Sequence, residues 1–80
     1  MDNSENFEIQ LVLVNSFGEF FGKKAIVTNE QYNNIVLISK SFYNGGGFEL
    51  TCEDETFLIF PPEIVKKSIL KINKNKIKDV

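Results

Sequence analysis

The 80-residue sequence has no histidine, no arginine and no tryptophan, and it has one cysteine. Without histidine, the commonest general base near neutral pH and the commonest metal ligand are both missing. The lone Cys52 closes no disulfide within the chain and supplies no thiolate cluster for zinc, so a reducing, cytoplasmic setting is expected. All nine bases are lysine, which removes the bidentate fork used on guanine edges and phosphates. Long apolar runs are lacking as well: Leu11 to Val14 and Ile35 to Ile38 are four residues each, against roughly 20 for a bilayer span. The first eight residues carry three acids and no base, which does not fit a secretory leader. A protein without membrane contact is the expectation.

What is present is a small globular composition, 42% apolar and 25% charged, with a formal charge of −2. A chain this short buries only about 60% of the surface its unfolded form exposes, so one core and no second domain is expected. The charge is split along the chain. Residues 1 to 65 hold three Lys against ten acids, and residues 66 to 80 hold six Lys against Asp79. An acidic body with a basic end suits either a solvated terminus or a contact with an acidic partner.

Residues 7 to 14 alternate apolar and polar positions and then run apolar, as a strand does on entering a core. Asn15-Ser16-Phe17-Gly18 supplies turn chemistry, and Phe20 to Val27 resumes as a second strand. Gly22 inside that strand predicts a bulge or the close passage of another backbone. The next segment has two readings. Thr28 with Gln31 fits a capping box for a helix over about 29 to 43, ended by Gly45, which would make the fold α+β. The β-branched run Ile35-Val36-Leu37-Ile38 favours a strand over 35 to 42.

Asn44-Gly45-Gly46-Gly47 is a loop, and Phe48 to Cys52 and Thr56 to Phe60 form a second hairpin around the acidic turn Glu53-Asp54-Glu55. Pro61-Pro62 presets a short helical or 3-10 turn, and Ser68 to Ile72 is the last strand. The expected layout is therefore a disordered N-terminus over 1–6, one domain over 7–73 and a Lys-rich tail over 74–80. The favoured class is all-β: five short strands curled into a small barrel, with a short 3-10 turn before the last strand.

In that strand order, Val12-Leu13-Val14-Asn15-Ser16-Phe17-Gly18-Glu19-Phe20-Phe21-Gly22 is similar to the first half of the leading motif of the Sm-like family of SH3-like barrels. Tyr32-Asn33-Asn34-Ile35-Val36-Leu37 looks like its second half, and Val65-Lys66-Lys67-Ser68-Ile69-Leu70-Lys71-Ile72 is similar to the closing motif of the bacterial host-factor branch. The resemblance implies a ring of subunits joined by edge strands. It also implies a pore lined by Tyr32, Asn34, Lys66 and Lys67, where a base of single-stranded RNA stacks on an aromatic and bonds to an amide.

Read for chemistry, the residues argue against an enzyme. Ser39, Ser41 and Ser68 have no histidine to activate them, and Cys52 lies among acids that raise its pKa. Glu53-Asp54-Glu55 lacks the spaced oxygens of a calcium loop, and Gly45-Gly46-Gly47 lacks the spacing of a phosphate cradle. No cofactor or metal is expected. The rival to an RNA-binding homo-oligomer is a protein-interaction module, an adaptor, regulator or inhibitor; the rich Asn, Lys and Ile usage suits an AT-rich genome, that of a phage or of a low-GC bacterium. Such a module would bind a protein partner through an edge strand or an aromatic patch. Eight Phe and two Tyr are more rings than so small a barrel readily hides. Phe17, Phe20, Phe21, Phe42 and Tyr43, which flank loops, are the candidates.

Overall fold

The computed structural model describes residues 6–77, so the expectations for residues 1–5 and 78–80 lie outside the described residues. The first apolar run forms β1 (Asn6–Asn15), and the Asn-Ser-Phe-Gly turn folds it back onto β2 (Gly18–Thr28). The side-chain oxygen of Asn15 accepts the Phe17 N–H at 2.8 Å, and Gly18 takes a φ of +133°, which a side chain would resist. The two strands pair in one register from Asn6 and Thr28 to Gln10 and Lys24, and in another from Val12 and Phe21 to Asn15 and Gly18. Gly22 and Lys23 therefore stand together opposite Leu11, a β-bulge. The expected close passage is at the same place. Gly22 bridges Cys52, and a Cβ on it would lie 2.8 Å from Leu50 Cδ1 and 3.1 Å from the Leu11 carbonyl.

The strand expected over 35 to 42 is a helix, α1 (Asn29–Ser39). Its cause is at its start. Thr28 Oγ1 accepts the Gln31 N–H at 3.1 Å, while Gln31 Oε1 accepts the Thr28 N–H at 2.9 Å, so the two ends of the capping box close on each other. That local signal outweighs the β-branched preference of Ile35 and Val36. Tyr32, Ile35, Val36 and Ser39, one helical stripe, are half-buried, and no residue of α1 is fully buried. A 3-10 turn over Phe42–Asn44 follows.

The second hairpin is β3 (Phe48–Thr51) and β4 (Phe57–Phe60), paired from Phe48 and Phe60 to Thr51 and Phe57. In its turn, Asp54 Oδ1 accepts the Thr56 N–H at 3.0 Å, and Glu55 adopts a φ of +73°. Pro62 opens the one-turn helix α2 (Pro62–Val65), where its missing N–H costs nothing. The last strand, β5 (Ile69–Lys76), is longer than expected: residues 74–76, assigned to a tail, pair with β1 as far as Phe7 and Lys76. The register is held by β1, which offers a free ladder over its whole length, so the Lys and Asn side chains do not end the strand.

The result is a β-rich fold of two antiparallel sheets, β2-β1-β5 and β3-β4, linked by the Gly22–Cys52 bridge. Directly opposed residues share a face, so Phe7, Ile9, Leu11 and Leu13 of β1 look the same way as Phe20 of β2 and Leu70, Ile72 and Lys74 of β5. Onto this face pack Phe42, Leu50, Phe60 and Val65, which with Leu13 form the core. Phe20 meets Phe60 edge-on at 5.3 Å and Phe42 meets Phe48 edge-on at 5.0 Å.

Candidate binding surfaces

Tyr32 is on the first turns of α1, its ring centroid 6.2 Å from that of Phe7. Lys74 Nζ sits 4.1 Å from the centroid of each ring, so the Tyr32 face is already covered by a cation. Asn34 is exposed one position from the apolar run. Lys66 caps the end of α2 and Lys67 lies exposed in the turn that follows. Because Ile69 pairs with Val14 while Tyr32 packs by Phe7, the two halves of the expected RNA site stand at opposite ends of β1. At about 3.3 Å per residue that separation is on the order of 20 Å. At Ser68, the residue after the lysine pair, the carbonyl accepts from the Tyr43 hydroxyl at 2.5 Å.

Of the five aromatic candidates, three reach the surface. Phe17 at the hairpin tip is 71% exposed, and Phe21 and Tyr43 are partly so. Phe42 is buried beside Phe48, and Phe20 is half-buried against Phe60. Sequence reasoning missed the aliphatic surface. On α1, Leu37 and Ile38 are 65% and 71% exposed. Between the C-terminal half of α1 and the sheet runs a groove of about 320 Å³, lined by Leu11, Ile35, Ile38, Phe42, Phe48 and Leu70 among others.

The edges of the two sheets are β2 and β5 in one and β3 and β4 in the other; β2 and β3 meet at the Gly22–Cys52 bridge, and the outer two, β4 and β5, are dissimilar. β4 reads Phe-Leu-Ile-Phe, with no charge, and its outward Phe57 and Ile59 are 55% and 68% exposed. Its hairpin carries Glu49, Glu53, Asp54 and Glu55. β5 and the turn before it carry Lys66, Lys67, Lys71, Lys74 and Lys76. The sequence marked both as strands, Thr56 to Phe60 as an apolar, β-rich run and Ser68 to Ile72 as the last strand; which of them would lie at an edge depends on the sheet order.

The acidic turn does not converge on a point. Glu53 Oε2 accepts from Gln10 Nε2 at 3.0 Å, Asp54 accepts from Thr56, and Glu55 Oε2 pairs with Lys23 Nζ at 2.6 Å. Among the described residues no group of His, Cys, Asp and Glu is placed to hold a metal ion. Hydrogen bonds from Thr56 hold the Asp54 carboxyl below its ordinary value of 3.8. Burial first, then the charges of Asp54 and Glu53, push the Cys52 thiol up, which keeps it protonated and a poor nucleophile. Ser68 is buried with its hydroxyl donating to the Ile64 carbonyl at 2.6 Å and accepting from Asn15 Nδ2 at 3.1 Å, and the Ser41 hydroxyl donates to the Ile38 carbonyl at 2.8 Å. These are structural roles.

Among the described residues, no helix is long and apolar enough to cross a membrane. Comparison of the chain with protein-family models, with curated proteins and with solved structures gives no match to any of them.

Proposed function

We propose that this chain is a non-catalytic binding protein that assembles with copies of itself, the β4 edge of one subunit pairing with the β5 edge of the next. The observation that carries this reading is the mismatch of the two edges. An uncharged apolar edge strand is a template for pairing, whereas natural proteins guard such edges with lysine. β5 carries that guard and β4 does not. Pairing β4 with a second β4 would set acidic turns beside acidic neighbours, while pairing it with β5 sets the acidic hairpin against a lysine-rich strand and turn. Joining unlike edges is a head-to-tail contact, which closes into a ring or extends as a filament.

The strand order β5-β1-β2, continued through the Gly22–Cys52 bridge to β3-β4, supports a small open barrel of the SH3-like kind as the subunit. Single-stranded RNA as the ligand has less support, since Lys74 covers the ring of Tyr32 and no arginine is available for phosphate. A foreign protein partner is the second reading, favoured by the exposure of Leu37 and Ile38 on α1.

Light scattering at low and high salt tests the assembly. The expected result is a mass of several subunits at low salt, falling with added salt and reduced to one subunit by Ile59→Lys, which puts a charge on the β4 edge. A single-subunit mass at every salt and protein concentration sinks the reading. Adding a uridine-rich oligonucleotide to the same runs separates the ligands, since the expected outcome is no change in mass.

A further inference from the structure

Resting on the assembly proposed above, we infer that the contact has one register: the neighbour's β4 runs antiparallel to β5 with Phe60 opposite Ile69 and Phe57 opposite Ile72, which sets its Ile59 on Leu70 at the mouth of the α1 groove. One side of β4 is open to a neighbour. Phe57 and Ile59 are exposed, whereas Leu58 and Phe60 pack into their own core. β5 has two unlike sides as well. Leu70 and Ile72 lie on the face of Leu13 and Leu11 and are half-buried, and Ile69, Lys71 and Asn73 lie exposed on the other.

Along its length, β5 is apolar over Ile69-Leu70-Lys71-Ile72 and polar from Asn73 to Lys76. Laid antiparallel on the apolar half, β4 carries its acidic turn, Glu53 to Glu55, toward Lys74 and Lys76. Pro61, which has no N–H to offer a ladder, then falls opposite Ser68, where β5 has not begun. Directly opposed side chains share a face, so Ile59 meets Leu70 and Phe57 meets Ile72. A slip of one residue turns both to the other face, onto Ile69 and Lys71 in one direction and onto Lys71 and Asn73 in the other. A slip of two runs β4 past the start of β5 or brings Pro61 into the ladder. The groove of about 320 Å³ is the receiving surface: Leu70 and Ile38 both line it, and Ile38 is still 71% exposed, so it stands at the rim. A branched side chain on the strand beside Leu70 covers that rim, and Ile38 and the neighbour's Ile59 leave water together. The neighbour's own core, behind Leu58 and Phe60, then lies on the far side of the shared sheet.

Disulfide trapping reads the register, because opposed residues on one face come within reach of a disulfide and residues on opposite faces do not. Protein carrying Ile59→Cys is mixed with protein carrying Leu70→Cys at low salt under mild oxidation, and the bridge is located by peptide mass, with the parent and its Cys52 as the blank. The expected result is a bridge between positions 59 and 70, lost at high salt, and none when Ile69→Cys or Lys71→Cys replaces Leu70→Cys. Phe57→Cys mixed with Ile72→Cys reads the same register at a second pair, should Leu70→Cys fail to fold. Ile38→Ser, at an exposed site, weakens association about fivefold or more, the loss expected on truncating a side chain buried in an interface. A bridge from position 59 to 69 or 71, association without a bridge at either expected pair, or association indifferent to Ile38→Ser overturns the register and leaves the assembly standing. A single-subunit mass by light scattering with no bridge at any pair overturns both.

Discussion

Gly22 sits where three backbones meet, and its missing side chain is what lets the two sheets join. A methyl there would meet Leu50 Cδ1 at 2.8 Å and the Leu11 carbonyl at 3.1 Å, and the carbonyl cannot move without shifting β1. Gly22→Ala is therefore expected to destabilise by about 1–3 kcal/mol, the range for overpacking, measured by urea unfolding. Its effect on the Cys52 bridge gives a second readout. The thiol, held protonated by burial and by Asp54 and Glu53, should alkylate slowly at neutral pH in the parent protein and faster in the variant. Asp54 offers a pH test at the same scale. Its carboxyl is lowered in the folded state, so the ionised form contributes stability above its ordinary value of 3.8, and that contribution is lost as pH falls below it. Unfolding curves of Asp54→Ala should thus show the variant weaker than the parent at pH 6 and indistinguishable from it at the acid end, where both carry no charge at that site.

At the scale of elements, what was legible in the sequence is what short-range chemistry decides. Both hairpins follow from apolar alternation broken by Asn-Ser-Phe-Gly and by Glu-Asp-Glu, and the Gly22 bulge follows from a glycine inside an apolar strand. The helix α1 was legible too, in Thr28 and Gln31, but its interior argued the other way: Ile35, Val36 and Ile38 prefer strands when they can be covered on both faces. Here no neighbouring strand covers them, and the cap decides. The extent of β5 was hidden because Lys74 and Asn75 look like a solvated tail unless the length of β1 opposite them is known. The Lys74 contact with Tyr32 and Phe7 is non-local and has no periodicity to betray it. Since the cap outweighs the interior, Thr28→Ala should cost about 1 kcal/mol and should lower helical circular dichroism at 222 nm more than Thr51→Ala, a strand substitution used as control.

At the scale of the whole molecule, the described core is small. Phe7, Ile9, Val12, Leu13, Phe42, Leu50, Phe60 and Val65 are the buried apolar residues among those described, and a domain of this length has a total stability of roughly 4–12 kcal/mol. Against that, Leu13→Ala removes a fully buried side chain between the sheet and Phe60 and is expected to cost about 3 kcal/mol, enough to leave a large unfolded fraction on warming. A subunit so thinly cored, with Phe57, Ile59 and Ile69 open to water on or beside its edges, gains stability by covering them. Assembly that binds only the folded subunit raises its apparent stability by mass action. The thermal midpoint should therefore climb with protein concentration at low salt, flatten at high salt where the acid-to-lysine attraction is screened, and lose its concentration dependence in Ile59→Lys. A midpoint that ignores both concentration and salt would mean that the exposed edge strands stay uncovered in solution, and the stability of the single subunit would then have to come from its core alone.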